Sequence, residues 1–176
     1  LQGEGLRVSD ATLDITGQYQ QTDLEYDLDA EVANVSLDGQ VIKGIQVQSQ
    51  GSQHHQQNYI RAGLAQGQAQ LAFQSELQQQ QLSLAITELE LRGDEYQVAL
   101  EQSTQLDIDL AQQSVRTKPF CLQGNAMHLC IEPSDISAKQ GHVNAKLDYF
   151  QLQSLTTLLG PNLSIEGLAQ GHAQLA

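Results

Sequence analysis

Apolar and polar residues alternate along most of the chain with a period of two. In DLEYDLDAEV, at positions 23–32, the acidic residues occupy odd positions and the leucine, tyrosine, alanine and valine residues occupy even ones. Because successive side chains of a β-strand point to opposite faces, this pattern predicts a strand with one apolar and one charged face. The alternation recurs in GIQVQSQG, LSLAI, LDIDL and HVNAKLDY, so the sequence predicts an all-β protein.

The apolar faces of these strands are aliphatic. Aromatic residues make up 5% of the chain and tryptophan is absent. A β-sandwich core normally contains more large rings, so this composition favours a single curved sheet with an aliphatic trough. The alternative is a dry, closed core, which most apolar strand faces form. The side chains that would line a trough are Leu28, Val47, Leu71, Phe73, Leu84, Ile86, Val98, Ile108 and Leu147.

A decapeptide occurs twice in the chain. GLAQGQAQLA at 63–72 returns as GLAQGHAQLA at 167–176, with a single difference. In both copies small residues and a leucine alternate with polar ones, a pattern typical of a strand with an aliphatic inner face. Inner glycines let the backbone bend or approach another surface closely. The repeat therefore predicts two copies of one strand unit and not two active sites.

The pattern departs from simple alternation in two places. It changes phase between Ile86 and Leu89. Since a one-residue slip moves every later side chain to the other face, we predict a β-bulge near Thr87. Leucines at helical spacing before Gly160-Pro161 predict one short helix of two or three turns near 151–159. Clusters of glycine and polar residues predict turns at 37–40, 49–57, 92–94 and 123–126.

The chain contains two cysteines, in PFCLQGNAMHLCIEP. A hairpin loop centred between Asn125 and Ala126 places Cys121 directly opposite Cys130, within disulfide reach. Such a bond would stabilise the fold by roughly 2.5–3 kcal/mol in the chain-entropy model and would indicate an oxidising compartment. The alternatives are free thiols or a metal site that includes His128, but three ligands at this spacing match no standard zinc pattern.

Composition excludes several classes of function. Eight lysines and arginines against 21 acidic residues give a net charge of −13. With no basic patch, binding to nucleic acid or to an anionic membrane surface is not expected. No apolar run is long enough to span a bilayer. The chain begins at LQGEGL without methionine and ends within an alternating stretch, so we expect residues 1–176 to be one segment cut from a longer protein, with any membrane anchor outside it.

No residues indicate catalysis or a cofactor. Serine, histidine and aspartate occur, but the sequence has no nucleophile elbow, zinc-protease, P-loop or dinucleotide-binding motif, so we expect no enzyme. His54 and His55 lie in a glutamine-rich predicted turn, and His142 and His172 fall on polar faces, so none is expected to bind a metal. Carboxylates along one strand face lie about 7 Å apart, too far to share a calcium ion without a loop. We therefore expect a solvated outer face at Glu25, Asp27, Asp29 and Glu31.

The stretch from Leu82 to the C-terminus resembles a known family. It contains an L-x-L-x-I strand, LELRGDEYQV, TQLDIDLAQQSV, the cysteine pair CLQGNAMHLC, LDYFQLQSL and LLGPNLSIEGLAQG, in that order. This order is similar to that of TamB-like proteins, the inner-membrane-anchored subunits of bacterial translocation and assembly modules in the AsmA-like group. The resemblance covers directly more than half of the chain, and the cysteine pair with the leucine segment and Gly-Pro is its most specific part. Tyr96 stands where the family is expected to have tryptophan.

The resemblance implies a fold. It implies a long antiparallel or mixed sheet folded into a U, the β-taco of bridge-like lipid transfer proteins, in which residues 1–176 form a single groove segment of a periplasmic repeat protein. The nine aliphatic and aromatic side chains named above would then line the groove and contact acyl chains.

The resemblance also implies a function. The parent protein would be anchored in the inner membrane of a Gram-negative bacterium, would work with a TamA-like outer-membrane partner, and would carry phospholipid between the membranes without a cofactor. The alternative is chaperone-like binding of outer-membrane protein β-strands during their assembly, for which an unpaired sheet edge would suffice.

Overall fold

The computed structural model describes residues 7–20, 23–37, 40–64, 67–94, 96–138, 140–155 and 165–175. In this part of the chain, fourteen strands form one sheet in which all neighbours are antiparallel. The strands are β1 (Arg7–Gln20), β2 (Asp23–Leu37), β3 (Gln40–Ser52), β4 (His55–Leu64), β5 (Gly67–Gln78), β6 (Gln81–Gly93), β7 (Gln97–Leu100), β8 (Thr104–Asp109), β9 (Ser114–Thr117), β10 (Phe120–Gly124), β11 (Met127–Ile131), β12 (Ser134–Ser137), β13 (Gly141–Gln151) and β14 (Leu168–Leu175). The prediction of an all-β fold is confirmed.

Successive strands pair in chain order, so the sheet is a meander. Strands β1 to β6 follow one another as neighbours. β6 then pairs along one half with β7 and along the other half with β8. In the same way β13 pairs with both β11 and β12, and β14 pairs with β13. The short strands β7 to β12 are therefore the halves of three longer strands, each interrupted once.

The three interruptions lie side by side, and two of them contain proline. They fall at residues 101–103, 118–119 and 132–133. Pro119 and Pro133 have no N–H to donate to a neighbouring strand, so the ladder weakens at both positions. Backbone hydrogen bonds on either side of the breaks, such as Lys118 N–H to Gln105 O at 2.9 Å, keep the halves in one sheet.

The predicted bulge is confirmed. Ala72 pairs with Glu88, whereas the next residue, Phe73, pairs with Ile86, so Thr87 is left as the extra residue of β6. The Thr87 hydroxyl donates to Ala72 O at 3.2 Å. Because of this extra residue, the apolar side chains before and after the bulge, such as Ile86 and Leu89, lie on the same face of the sheet.

The short helix expected near 151–159 is not shown. The described residues contain a single 3₁₀ turn, Leu152–Leu155, directly after β13. Residues 156–164, including Gly160-Pro161, lie outside the described residues. Among the described residues no helix has the length and apolar character to cross a membrane.

The turn predictions are confirmed where the structure tests them. β3 and β4 are joined at Gln53 and His54, β6 ends at Gly93, and β10 and β11 are joined at Asn125 and Ala126. Residues 38–39 of the turn predicted at 37–40 lie outside the described residues.

The two copies of the decapeptide do not have the same structure. In the second copy Leu168–Leu175 is one continuous strand, as predicted. In the first copy β4 ends at Leu64 and β5 begins at Gly67, and these two residues pair with each other across a hairpin. The expectation of one strand through the first copy is therefore wrong, because the chain reverses within it. Residues 65–66 and 176 lie outside the described residues.

Candidate functional site

The sheet has one apolar and one polar face. Directly paired residues of antiparallel strands point their side chains to the same face, and apolar residues mostly pair with apolar residues. We call the face that they share the apolar face. Residue pairs define it from β2 to β13: Ala30–Val47, Ile60–Leu71, Phe73–Ile86, Leu84–Leu106, Leu91–Val98 and Leu129–Leu147. With the alternation inside each strand, this register places all nine predicted lining residues on the apolar face.

These nine side chains are half-buried. None is enclosed, and the only buried hydrophobic residue in the described part of the chain is Ala126. Exposure rises at both edges of the sheet: Leu13, Ile15 and Tyr19 of β1 are 62%, 60% and 72% exposed, and Leu168 and Leu175 of β14 are 65% and 69% exposed. Large contiguous exposed apolar surfaces of this kind mark sites that contact a partner, a membrane or an apolar ligand.

Polar side chains cross the apolar face near one end of strands β2 to β5. We call Tyr26, Ser49, Asn58, Ser75 and Gln56 the polar row. The Tyr26 hydroxyl lies 3.0 Å from Ser49 Oγ, which donates to Asn58 Oδ1 at 2.7 Å. Asn58 Nδ2 donates to Ser75 Oγ at 3.3 Å, and Ser75 Oγ donates to Gln56 Oε1 at 3.1 Å.

Sequence reasoning missed the polar row. The sequence does contain a signal for it, because Ser49, Asn58 and Ser75 are polar residues at positions where the alternation calls for apolar ones. Their connection depends on strand register, since partners in the row lie up to 23 residues apart in sequence. The prediction of a uniformly aliphatic face is therefore wrong in this region.

The opposite face of the sheet is polar. The predicted carboxylate row, Glu25, Asp27, Asp29 and Glu31, lies there and is exposed. Gln48 Nε2 donates to Asp29 Oδ2 at 3.0 Å. Farther along this face, hydrogen bonds from Ser83 and Gln105, at 2.7 and 2.8 Å, lower the pKa of Asp107 below its usual range. These contacts are those of a solvated surface.

The predicted disulfide is present, in the predicted register. Cys121 pairs with Cys130 across the β10–β11 hairpin, and their sulfurs are bonded at 2.06 Å. His128 lies beside them, with its Nε2 3.9 Å from Cys130 Sγ. The three ligand atoms lie within 4.8 Å of one another, but the bonded sulfurs are not the thiolates that a zinc site requires. In this state the cluster is a disulfide with a neighbouring histidine.

An ionic network fixes the His128 ring. Its Nδ1 lies 2.8 Å from Asp148 Oδ2, and the other oxygen of this carboxylate lies 2.7 Å from Lys146 Nζ. The hydrogen bond with Lys146, and to a smaller extent the one with His128, lowers the pKa of Asp148. The same carboxylate raises the pKa of Lys146. The ring also stacks on Tyr149, with centroids 6.1 Å apart. The network lies beside the disulfide, on the polar face.

The candidate site is therefore the apolar face. Comparison with known proteins gives one match: a family model described as TamB, N-terminal domain, matches residues 2–176. No curated protein and no solved structure shows a significant match to this chain.

Proposed function

Since the chain belongs to the TamB N-terminal domain family, we propose that its apolar face binds the acyl chains of lipids that move between the inner and outer membranes. In this proposal the sheet curves into a U around the apolar face, and Leu28, Val47, Leu71, Phe73, Leu84, Ile86, Val98, Ile108 and Leu147 line the groove. The 176 residues form one segment of a longer periplasmic protein that is anchored in the inner membrane.

The observation that carries the proposal is the continuous, half-buried apolar face. It extends across strands β2 to β13, and no second layer covers it among the described residues. An acyl chain needs apolar walls and no specific polar partner, and each methylene removed from water contributes about 0.8 kcal/mol. Outside the polar row, the apolar side chains offer similar contacts to every methylene and enclose none of them, which allows a chain to slide.

The other parts of the proposal follow from the family and from the disulfide. The family name points to a role in the translocation and assembly module, together with the TamA partner in the bacterial envelope. A structural disulfide such as Cys121–Cys130 persists in oxidising compartments, which supports the periplasm. We propose that the role is non-enzymatic and uses no cofactor.

The second candidate function is the capture of an outer-membrane protein strand. It is favoured by the two edges of the sheet, because β1 pairs only with β2 and β14 only with β13 among the described strands. An extended polypeptide can add to such an edge through backbone hydrogen bonds. This function would require the edges, whereas lipid binding requires the apolar face.

Photo-crosslinking in cells distinguishes the two functions. A photoreactive amino acid replaces Leu84 on the apolar face, and in a matched variant it replaces the adjacent Ser83, which faces Asp107 on the polar side. We expect phospholipid adducts from position 84 and none from position 83 in the full-length protein. The reason is that neighbouring residues of a strand sample opposite faces at nearly the same place.

Other outcomes have clear meanings. Polypeptide adducts at position 84 in place of lipid would support strand capture. Equal lipid labelling at both positions would indicate nonspecific contact. A folded, functional variant that gives no adduct at position 84 would contradict the proposal.

A further inference from the structure

We propose that the polar row holds the ester groups of a diacyl glycerolipid while its acyl chains lie on the adjacent aliphatic surface. This inference rests on the proposed function and specifies the chemistry of the ligand. It assigns a role to the side chains that interrupt an otherwise aliphatic face.

The position of the polar row is regular. Tyr26 and Asn58 lie three residues after the starts of β2 and β4, and Ser49 and Ser75 lie three residues before the ends of β3 and β5. Because the strands alternate in direction, all four lie at the same end of the sheet, about 10 Å from the strand ends. The polar row therefore runs across the strands and parallel to one rim of the apolar face.

Apolar side chains flank the polar row. Leu28 pairs with Ser49, Phe73 pairs with Asn58, and Leu84 pairs with Ser75. A glycerolipid has the same arrangement of chemistry, since its ester groups stand between a hydrated headgroup and two hydrocarbon chains. With esters on the polar row, the headgroup would reach the rim and the chains would cover the face beyond.

The hydrogen bonds of the row leave N–H groups available. The single proton of Ser49 Oγ goes to Asn58, so Tyr26 must donate to Ser49, and the bonds then run in one direction to Gln56 Oε1. One N–H of Asn58 and both side-chain N–H groups of Gln56 take part in no hydrogen bond among the described residues. Ester carbonyls accept hydrogen bonds and cannot donate them, so they match these donors.

The free donors of the polar row are confined to one strand. Gln56 and Asn58 both belong to β4, two residues and about 7 Å apart. A lipid that moves across the strands would gain these hydrogen bonds at β4 and lose them beyond it, while it keeps its acyl contacts. The polar row thus provides one weak position for the esters and not a tight site.

The test compares two lipids that differ only at the esters. Purified full-length protein is titrated with a fluorescent diacyl phosphatidylethanolamine and with its dialkyl ether analogue, which lacks both carbonyls. We expect the ester lipid to bind about 2- to 10-fold more tightly, the range for one ordinary hydrogen bond. Asn58→Leu and Gln56→Leu should reduce this preference towards one and leave binding of the ether lipid unchanged.

Two further variants keep the result interpretable. Gln57→Leu changes the neighbouring residue on the polar face of β4 and should keep the full preference. Asn58→Asp preserves size but supplies no N–H donor, so it should also lose the preference if the leucine variants fail to fold.

Each remaining outcome decides between the proposals. Equal binding of both lipids by the wild type would overturn the role of the polar row and leave lipid binding intact. If neither lipid bound, the proposed function itself would fail. Loss of the preference in Gln57→Leu would contradict the assignment to the polar row, and so would displacement of both lipids by an outer-membrane protein strand peptide.

Discussion

The two decapeptide copies differ at one residue of ten, yet the chain reverses in a hairpin within the first copy and runs as one continuous strand in the second. The first copy contributes Gly63 and Leu64 to β4 and Gly67 to the start of β5. In the second copy Leu168–Leu175 lies along β13 as β14. What differs is the surroundings, because the first copy pairs with itself and is enclosed between β3 and β6, whereas the second has β13 as its one neighbour among the described strands. Local sequence permits both structures, and the neighbouring strands select one.

The fifth residue of the decapeptide offers the largest test of this comparison. A Cβ at Gly67, whose φ is +157°, would overlap Arg92 O, whereas a Cβ at Gly171 would meet nothing within 4 Å. We expect Gly67→Ala to lower the unfolding free energy by about 1–3 kcal/mol through steric overlap. Gly171→Ala should be neutral or stabilising by about 0.5 kcal/mol, since alanine has less backbone freedom to lose. Urea denaturation followed by circular dichroism measures both. Equal losses would show that the two copies have similar surroundings.

The ninth residue gives an intermediate effect. Leu71 lies between Ile60 and Leu89 and is half-buried, whereas Leu175 pairs with Val143 alone and is 69% exposed. Leu71→Ala should cost about 1–2 kcal/mol, and Leu175→Ala about 0.5 kcal/mol or less, in proportion to the apolar area that each removes from contact. The same denaturation experiment compares them. A larger loss at Leu175 would mean that another surface covers the outer side of β14 in solution.

The one residue that differs between the copies gives the smallest effect. Gln68 Oε1 accepts a 2.8 Å hydrogen bond from Arg61 Nη2, and His172 occupies the same place in the second copy. Gln68→His should lose about 0.5 kcal/mol, the scale of an exposed polar contact, and His172→Gln should change nothing. In an Arg61→Ala background the first substitution should have no further effect. A persistent loss there would exclude this hydrogen bond as the cause.

Features that depend on neighbouring residues were predictable from the sequence. Alternation identified the strands, the phase change located the bulge at Thr87, and a single hairpin register placed Cys121 opposite Cys130. Each depends on side-chain direction over a few residues, which period two determines.

Features that depend on distant pairing were not predictable. The polar row requires the register of four strands, and the reversal within the first decapeptide requires two neighbours. The turn between β5 and β6 was also not predicted. Gln79 adopts a φ of +55° in this turn, and the sequence has no glycine or asparagine there to indicate it. The leucine spacing after Tyr149 predicted a helix, of which the described residues contain the 3₁₀ turn Leu152–Leu155 directly after β13.

The open apolar face has a thermodynamic consequence. Heat capacity rises on unfolding mainly because apolar surface becomes hydrated, by about 12–15 cal/mol/K per residue in globular domains. Here the only buried hydrophobic side chain among the described residues is that of Ala126, so part of this surface is already hydrated in the native sheet. We therefore expect a smaller heat-capacity change on unfolding, and a flatter stability curve, than for a globular domain of this length. Under the proposed function, a bound acyl chain would dehydrate the same surface and so complete the hydrophobic core of the sheet.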